Sequence, residues 1–305
     1  MAIAVFGSIN MDLVTRTARL PLPGETVAGH GFFTAPGGKG ANQAVAGARL
    51  GAVTRLVGRL GDDPFGAELH AGLLAAGVDA SGVLTTPGPS GIAVITVDDA
   101  ARNTIIVVPG ANGAVGPADA SRLDVALVGA RVLLLQLELP LDAVVAAARA
   151  ARRLAVPVIL DPAPARELPA VLYRLADIIT PNLSEAATLV GFPLTSDAAT
   201  VEAARVLRGR TGGTVVITLG ERGALLLAGN EPLFVPPFTV QAVDSVAAGD
   251  AFNAGLAVAL AEGRPLQEAL RWASAAGALA VTRPGAQQAM PARAEVLALL
   301  SEQGS

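Results

Sequence analysis

The feature that most constrains what this chain can fold into is a rhythm. Short β-branched or Leu-rich runs alternate with longer Ala-rich stretches at helical spacing, in the order of an α/β protein with a mainly parallel sheet. Strands are expected at 2–9, 53–58, 131–136, 156–160, 177–180 and 214–219, each apolar enough to be covered on both faces. Helices are expected between them at 39–50, 65–76, 141–153, 184–190 and 197–209.

Two stretches break the rhythm. Residues 12–36 are rich in Pro and Gly, and 90–108 read as a hairpin around Asp98, Asp99 and Ala100, so together they suggest a small β lid over the main sheet. Residues 248–281 read as two Ala-rich helices joined at Glu262-Gly263-Arg264-Pro265, where Gly stops one helix and Pro restarts the next. No repeat or low-complexity linker interrupts the chain, so residues 1–305 are expected to form one domain with a lid.

Composition narrows the function classes. A net charge of only -4, without a run of like charges, argues against nucleic acid and for a small ligand. The absence of cysteine excludes disulfides and thiolate metal sites, and two histidines, His30 and His70, are expected on the surface rather than at a metal. The apolar start lacks a basic leader and meets Asn10 and Asp12 early, and 254–261 and 273–281 fall short of the ~18 residues of a membrane span. A cytoplasmic protein that does not engage membranes is expected.

In a parallel sheet, ligands bind beyond the carboxyl ends of the strands. Gly7–Asn10, Gln136–Glu138, Asp161-Pro162, Thr180–Asn182 and Thr218–Gly220 each follow a predicted strand. The most telling segment is Asp244-Ser-Val-Ala-Ala-Gly-Asp250, a small-residue turn that opens a helix and aims backbone N–H groups at an anion. Asp250 at that point reads either as a base that takes a proton from an attacking hydroxyl or as a helix-capping carboxylate. At Pro36-Gly37-Gly38-Lys39-Gly40-Ala41-Asn42, glycines permit close backbone approach, and Lys39 and Asn42 can donate to hydroxyl or phosphate oxygens. This is not a Walker A loop, and Gly7-Ser-Ile-Asn10 lacks the dinucleotide-binding glycine pattern.

In order and spacing, Gly7–Asn10 with Asp12, Gly37–Ala44, Gly61–Asp63, Gln136–Glu138, Pro162–Pro169, Thr180–Asn182, Thr218–Gly220, Gln241–Asp250 and Ala280–Gln287 resemble segments of the ribokinase-like carbohydrate kinase family, almost end to end. The resemblance implies a three-layer α/β sandwich with a β lid, and transfer of the ATP γ-phosphate to the 5-hydroxyl of D-ribose. It implies that Asp250 is the base and that the N–H groups of Ala247, Ala248 and Gly249 form the anion hole. It places the sugar at Asn10, Met11, Asp12, Gly38, Lys39, Gly40, Ala41, Asn42, Glu138 and Asp250. ATP is placed at Asn182, Thr218, Leu219, Gly220, Glu221, Arg222, Gly223, Gly249, Asp250 and Ser274. The resemblance also implies Mg2+ bridging phosphate oxygens, K+ as activator near Asp244, Val246, Ala280, Arg283, Gly285 and Ala289, and a homodimer through the lid.

Ala289 and Ser274 depart from residues found in some family members, which bears on cation strength and nucleotide preference. Two other readings stand beside the ribose reading: a sister kinase for deoxyribose, a ketohexose or a nucleoside, and an inactive sugar-binding or regulatory protein.

Overall fold

The computed structural model describes residues 1–100 and 102–303. Its strands are β1 (Ala2–Phe6), β2 (Asn10–Thr17), β3 (Gly29–Gly37), β4 (Val53–Gly61), β5 (Asp79–Thr86), β6 (Gly91–Asp98), β7 (Asn103–Val108), β8 (Ala130–Leu135), β9 (Val158–Leu160), β10 (Ile178–Ile179), β11 (Thr214–Thr218), β12 (Ala224–Leu227) and β13 (Leu233–Val235). The helices are α1 (Lys39–Arg49), α2 (Pro64–Ala75), α3 (Leu123–Ala126), α4 (Leu141–Arg153), α5 (Ala170–Leu175), α6 (Leu183–Val190), α7 (Asp197–Thr211), α8 (Ala248–Ala261), α9 (Leu266–Ala280) and α10 (Arg293–Glu302).

The main sheet has the order β13-β12-β11-β10-β9-β8-β1-β4-β5. Its strands from β11 to β5 pair in parallel, and β12 and β13 close one edge as antiparallel neighbours. Side-chain alternation explains the unbroken apolar runs. Ile3 and Val5 of β1 enter one core while Ala4 and Phe6 enter the other, and β8 divides Val132 and Leu134 from Leu133 and Leu135 in the same way. Helices α1, α8, α9 and α10 cover the first face, whereas α4, α5, α6 and α7 cover the second, so the molecule has three layers. A fully buried Leu or Phe in either core contributes about 1.5–3 kcal/mol. Trp272 of α9 is fully buried, with the guanidinium groups of Arg264 and Arg293 at 4.6 and 5.0 Å from its ring.

The two stretches that broke the rhythm form a second sheet of order β3-β2-β6-β7. Strand β2 pairs antiparallel to β3 and parallel to β6, and β6 pairs antiparallel to β7. The predicted hairpin is present, with Asp98 Oδ1 accepting from Ala100 N and Arg102 N at its turn. A strand is expected over 2–9, but β1 stops at Phe6, where Gly7 packs against Gly40 of α1. Strand β9 begins only at Val158, since Pro157 has no N–H for a ladder. The polar edge strand β5, the β12–β13 edge and helices α5 and α10 carry weaker patterns and were not anticipated.

His30 is exposed and meets Asp99 at 3.0 Å, while His70 is half-buried on α2, so neither lies at a strand's carboxyl end. Among the described residues, no helix is long and apolar enough to cross a membrane. The chain builds the sheet outward from β1 through β4 and β5, then returns to β8 on the other side of β1. The topological switch point therefore lies between β1 and β8, where Ser8 and Gln136–Glu138 emerge.

Candidate active site

Two glycines bring the end of β1 against the start of α1. A Cβ on Gly7 would stand 2.6 Å from Gly40 Cα, and a Cβ on Gly40 would stand 2.5 Å from the Gly7 carbonyl carbon, so only glycine permits the contact. Gly38, at φ 87°, starts α1 from a left-handed conformation. Ala41 N then donates to Ser8 O at 2.9 Å, and Lys39 N donates to Glu138 Oε2 at 3.0 Å, while Ser8 Oγ donates to the same carboxylate. The Gly-rich segment, β1 and β8 are thereby locked together.

Helix α8 meets this cluster with its N-terminus. Its cap is Ala247, in the left-handed region at φ 58°, a conformation that costs an alanine about 1–2 kcal/mol. Strain of this kind is tolerated where it holds a working geometry. The geometry excludes the capping reading of Asp250. No side chain caps α8; instead Asp250 Oδ2 accepts from Asn42 Nδ2 at 2.9 Å and Oδ1 from Gln43 Nε2 at 3.1 Å. The carboxylate is held from α1, buried, at the helix end whose free N–H groups attract anions.

Electrostatics follow from crowding. Burial raises the Asp250 pKa, and Glu138 adds to that, while Lys39 and the hydrogen bonds from Asn42 and Gln43 pull it down; the net shift is upward. Burial raises Asp161 well above the usual carboxylate range, against the pull of Lys39. Burial lowers Lys39, but Asp250, Asp161, Glu138 and Glu185 outweigh it and hold the ammonium above its ordinary value. A lysine charge thus sits among carboxylates and could meet a phosphate in transfer.

The other expected sugar residues gather alongside. Asn10 begins β2, and its Oδ1 accepts from Asn112 Nδ2 at 2.7 Å; Asn112 also exchanges hydrogen bonds of 3.0 Å with both backbone groups of Ile9. The Asn10 amide nitrogen is thus turned away from Asn112 and is free to donate elsewhere. Asp12, half-buried, is pushed up to about 7 by burial first, then by Glu138 and Asp250. Asn42 Oδ1 is buried without a partner, which costs about 1–3 kcal/mol. Met11 and Ala41 are core residues, so their side chains take no part.

The residues expected around a nucleotide lie farther along the same edge. Asn182 and Thr218 sit side by side in a parallel bridge, with Thr218 N donating to Pro181 O at 3.0 Å. Asn182 also caps α6, its Oδ1 accepting from Glu185 N at 2.9 Å and from Ser184 Oγ at 2.8 Å. After Thr218, Leu219 is buried, and a short 3-10 turn over Gly220–Arg222 leads to Gly223. Glu221 is exposed, and Arg222 is turned to Asp197 of α7 at 2.8 Å. A Cβ on Gly249 or Gly220 would meet nothing within 4 Å, so open space stands over both turns, as a phosphate chain requires. Ser274 Oγ on α9 is buried and unpartnered.

The model of the pfkB family carbohydrate kinases matches residues 2–293. The chain belongs to that family. Ribokinase of Bacillus subtilis (strain 168) is 41% identical over 300 residues, covering 98% of this chain and 99% of the relative. Deoxyribokinase of Salmonella typhi is 35% identical over 293 residues, covering 95% and 96%. The structure of Arabidopsis thaliana ribokinase complexed with ribose and ATP has a TM-score of 0.89 at 36% identity, covering 98% and 99%. The chain is an ATP-dependent sugar kinase.

In this family member the loop expected to hold a monovalent cation is braced from within. Asp244 Oδ1 accepts from Val246 N at 3.0 Å and Oδ2 from Gly285 N at 2.9 Å, and Val243 N and Asp244 N both donate to Val281 O, next to Ala280. Arg283 pairs with Glu295, so its guanidinium is turned away and only its backbone is offered, and Ala289 is fully buried. Asp244 thus braces this loop through both of its carboxylate oxygens. Sequence reasoning missed Gln43, Asp161, Glu185 and Asn112 as members of the cluster. Gln43 and Asp161 stood inside noted segments, but an amide on a helix and a carboxylate after a strand carry no local sign of which partners they meet.

Proposed function

We propose that this kinase transfers the γ-phosphate of ATP to the 5-hydroxyl of D-ribose, giving D-ribose 5-phosphate and ADP. The observation that carries the reading is Asp250, buried at the N-terminus of α8 and gripped by Asn42 and Gln43 instead of capping its helix. The 5-hydroxyl oxygen attacks the γ-phosphorus as its proton passes to Asp250, and the bond to the β-phosphate oxygen breaks to release ADP. Backbone N–H groups of Ala247, Ala248 and Gly249 are fixed where charge develops, and Lys39 adds a positive charge. Bound Mg2+ would neutralise phosphate charge, and K+ beside Asp244 and Gly285 would stiffen the loop that leads into the turn.

The sugar is read by Asn10, Asp12, Gly38 to Asn42 and Glu138, under the second sheet acting as a lid of a single domain. ATP lies along Asn182, Thr218 to Gly223 and Ser274. Phe32 and Ile106, both about two-thirds exposed on the second sheet, support a homodimer through the lid. Light scattering should report a dimer that Ile106→Asp converts to monomer; a monomeric parent protein would remove that assignment. The cytoplasm, where ATP is supplied, is the proposed compartment.

The resemblance to a deoxyribokinase supports one rival acceptor. ADP release from MgATP should be measured with D-ribose, 2-deoxyribose, fructose and adenosine, each with and without K+. Ribose-dependent release stimulated by K+ is expected. Preference for another acceptor would keep the chemistry and replace the substrate, and no release with any acceptor would leave an inactive sugar-binding protein.

A further inference from the structure

Behind Asp250 lies a chain of side chains that the transfer itself does not touch. Gln43 is completely buried on α1, and its single amide nitrogen donates to Asp250 Oδ1 at 3.1 Å and to Asp161 Oδ2 at 2.9 Å. Its oxygen accepts from Gln136 Nε2, at the end of β8. Both donors and the acceptor of the amide are used, so it cannot flip without placing oxygen against two carboxylates. Two strand ends of the main sheet, at Gln136 and Asp161, and the N-terminus of α8, at Asp250, therefore converge on one neutral residue.

We propose that Gln43 is a positioning residue for Asp250, anchored from behind by Asp161 and Gln136, which fixes the plane of the base and keeps it ionised for proton transfer. The inference rests on the reading of Asp250 as general base. With Asn42 holding Oδ2 and Gln43 holding Oδ1, the carboxylate cannot rotate about its Cβ–Cγ bond, which leaves a fixed lone pair for the sugar hydroxyl. A hydrogen bond to the ionised form favours it, in opposition to burial. The charged groups that face Asp250 are Lys39, Glu138 and Asp12, with Asp161 behind Gln43 and Glu185 acting on Lys39 and Asp161.

Gln43→Met keeps the length and apolar volume of the side chain but donates nothing. Its kcat should fall about 10²-fold, with the KM for the sugar within a few-fold, and the acidic limb of kcat/KM should move to higher pH. Gln43→Glu should move that limb further, because it sets a like charge beside the base. Gln136→Met removes only the anchor of the Gln43 oxygen and should give a smaller shift in the same direction. A residue that merely filled space would lower stability and leave the limb where it is.

The same order should appear in a 13C-carboxyl titration of Asp250, assigned by its loss in Asp250→Asn, which needs no turnover. Unfolding of Gln43→Met would leave Gln136→Met as the test, since Gln136 already has an orphaned oxygen and its truncation spares both carboxylate bonds. An Asp250 titration unmoved in the folded variants overturns the inference. A normal shift with no kinase activity in the parent protein would strike at the functional reading and leave the positioning role standing.

Discussion

The proposed sugar side and the proposed nucleotide side of the cleft are built differently. On the sugar side, Ser8, Asn10, Lys39, Asn42, Gln43, Asn112, Glu138, Asp161 and Asp250 lie in hydrogen-bonded chains that cross from strand to helix. On the nucleotide side, Asn182 is exposed, Arg222 pairs away toward α7, and Ser274 offers one orphaned hydroxyl. Under that proposal the difference says where selectivity would be stored. A preformed polar network penalises any acceptor that fails to satisfy it, whereas an open turn built on backbone N–H groups accepts a phosphate chain from many nucleotides.

The largest test of this contrast is Asp250→Asn. Loss of the base should lower turnover by about 10²- to 10⁴-fold while calorimetric binding of ribose and ATP stays within a few-fold; near-normal turnover would remove Asp250 from its role. Next comes Asn10→Ala, which takes one donor from the network and leaves Asn112 bonded to Ile9. The KM for ribose should rise by about tenfold or more with the KM for ATP unchanged, and an equal rise in both would erase the distinction between the two sides.

A pH effect of intermediate size should come from Asp12. Its folded value of about 7 lies above the ordinary 3.8, so the folded protein holds the proton more tightly than the unfolded chain. The corresponding stability is full below 3.8 and is lost as pH rises through about 7. Thermal melts of the free protein should show that decline, and Asp12→Asn should flatten it. An ionised carboxylate is the stronger acceptor for a sugar hydroxyl, so ribose affinity should change in the opposite sense and strengthen as pH rises through that range. The smallest effect is expected for Ser274→Ala, with the KM for ATP changed only about twofold and stability unchanged or slightly raised by removal of an unsatisfied hydroxyl. A tenfold loss of ATP affinity would mean that the nucleotide side is more selective than its open structure implies.

Much of this molecule was legible before folding because the relevant physics is local or periodic. Runs such as Arg131–Leu135 and Thr214–Thr218 specify strands covered on both faces, and Gly263 with Pro265 marks the break between α8 and α9. The Asp244–Asp250 turn could be recognised as a helix entrance for the same reason. Strand β5 escaped notice because an edge strand is partly solvated and carries Asp79, Ser81 and Thr85 among its apolar residues.

What the linear order left open was the partner of each polar side chain. Asp250 could have capped its own helix; it bonds to Asn42 and Gln43, 208 and 207 residues away, because packing of α1 against α8 brings them together. Gln43 looked like any helical amide until Asp161 and Gln136 arrived from two other strands. The sequence by itself determined the layers, the turns and the kind of chemistry, since hydrophobic period, glycine and proline act over a few residues. Only the tertiary structure decided which carboxylate is gripped and how its charge is held, because burial and long-range hydrogen bonds depend on distances that exist only in the folded chain.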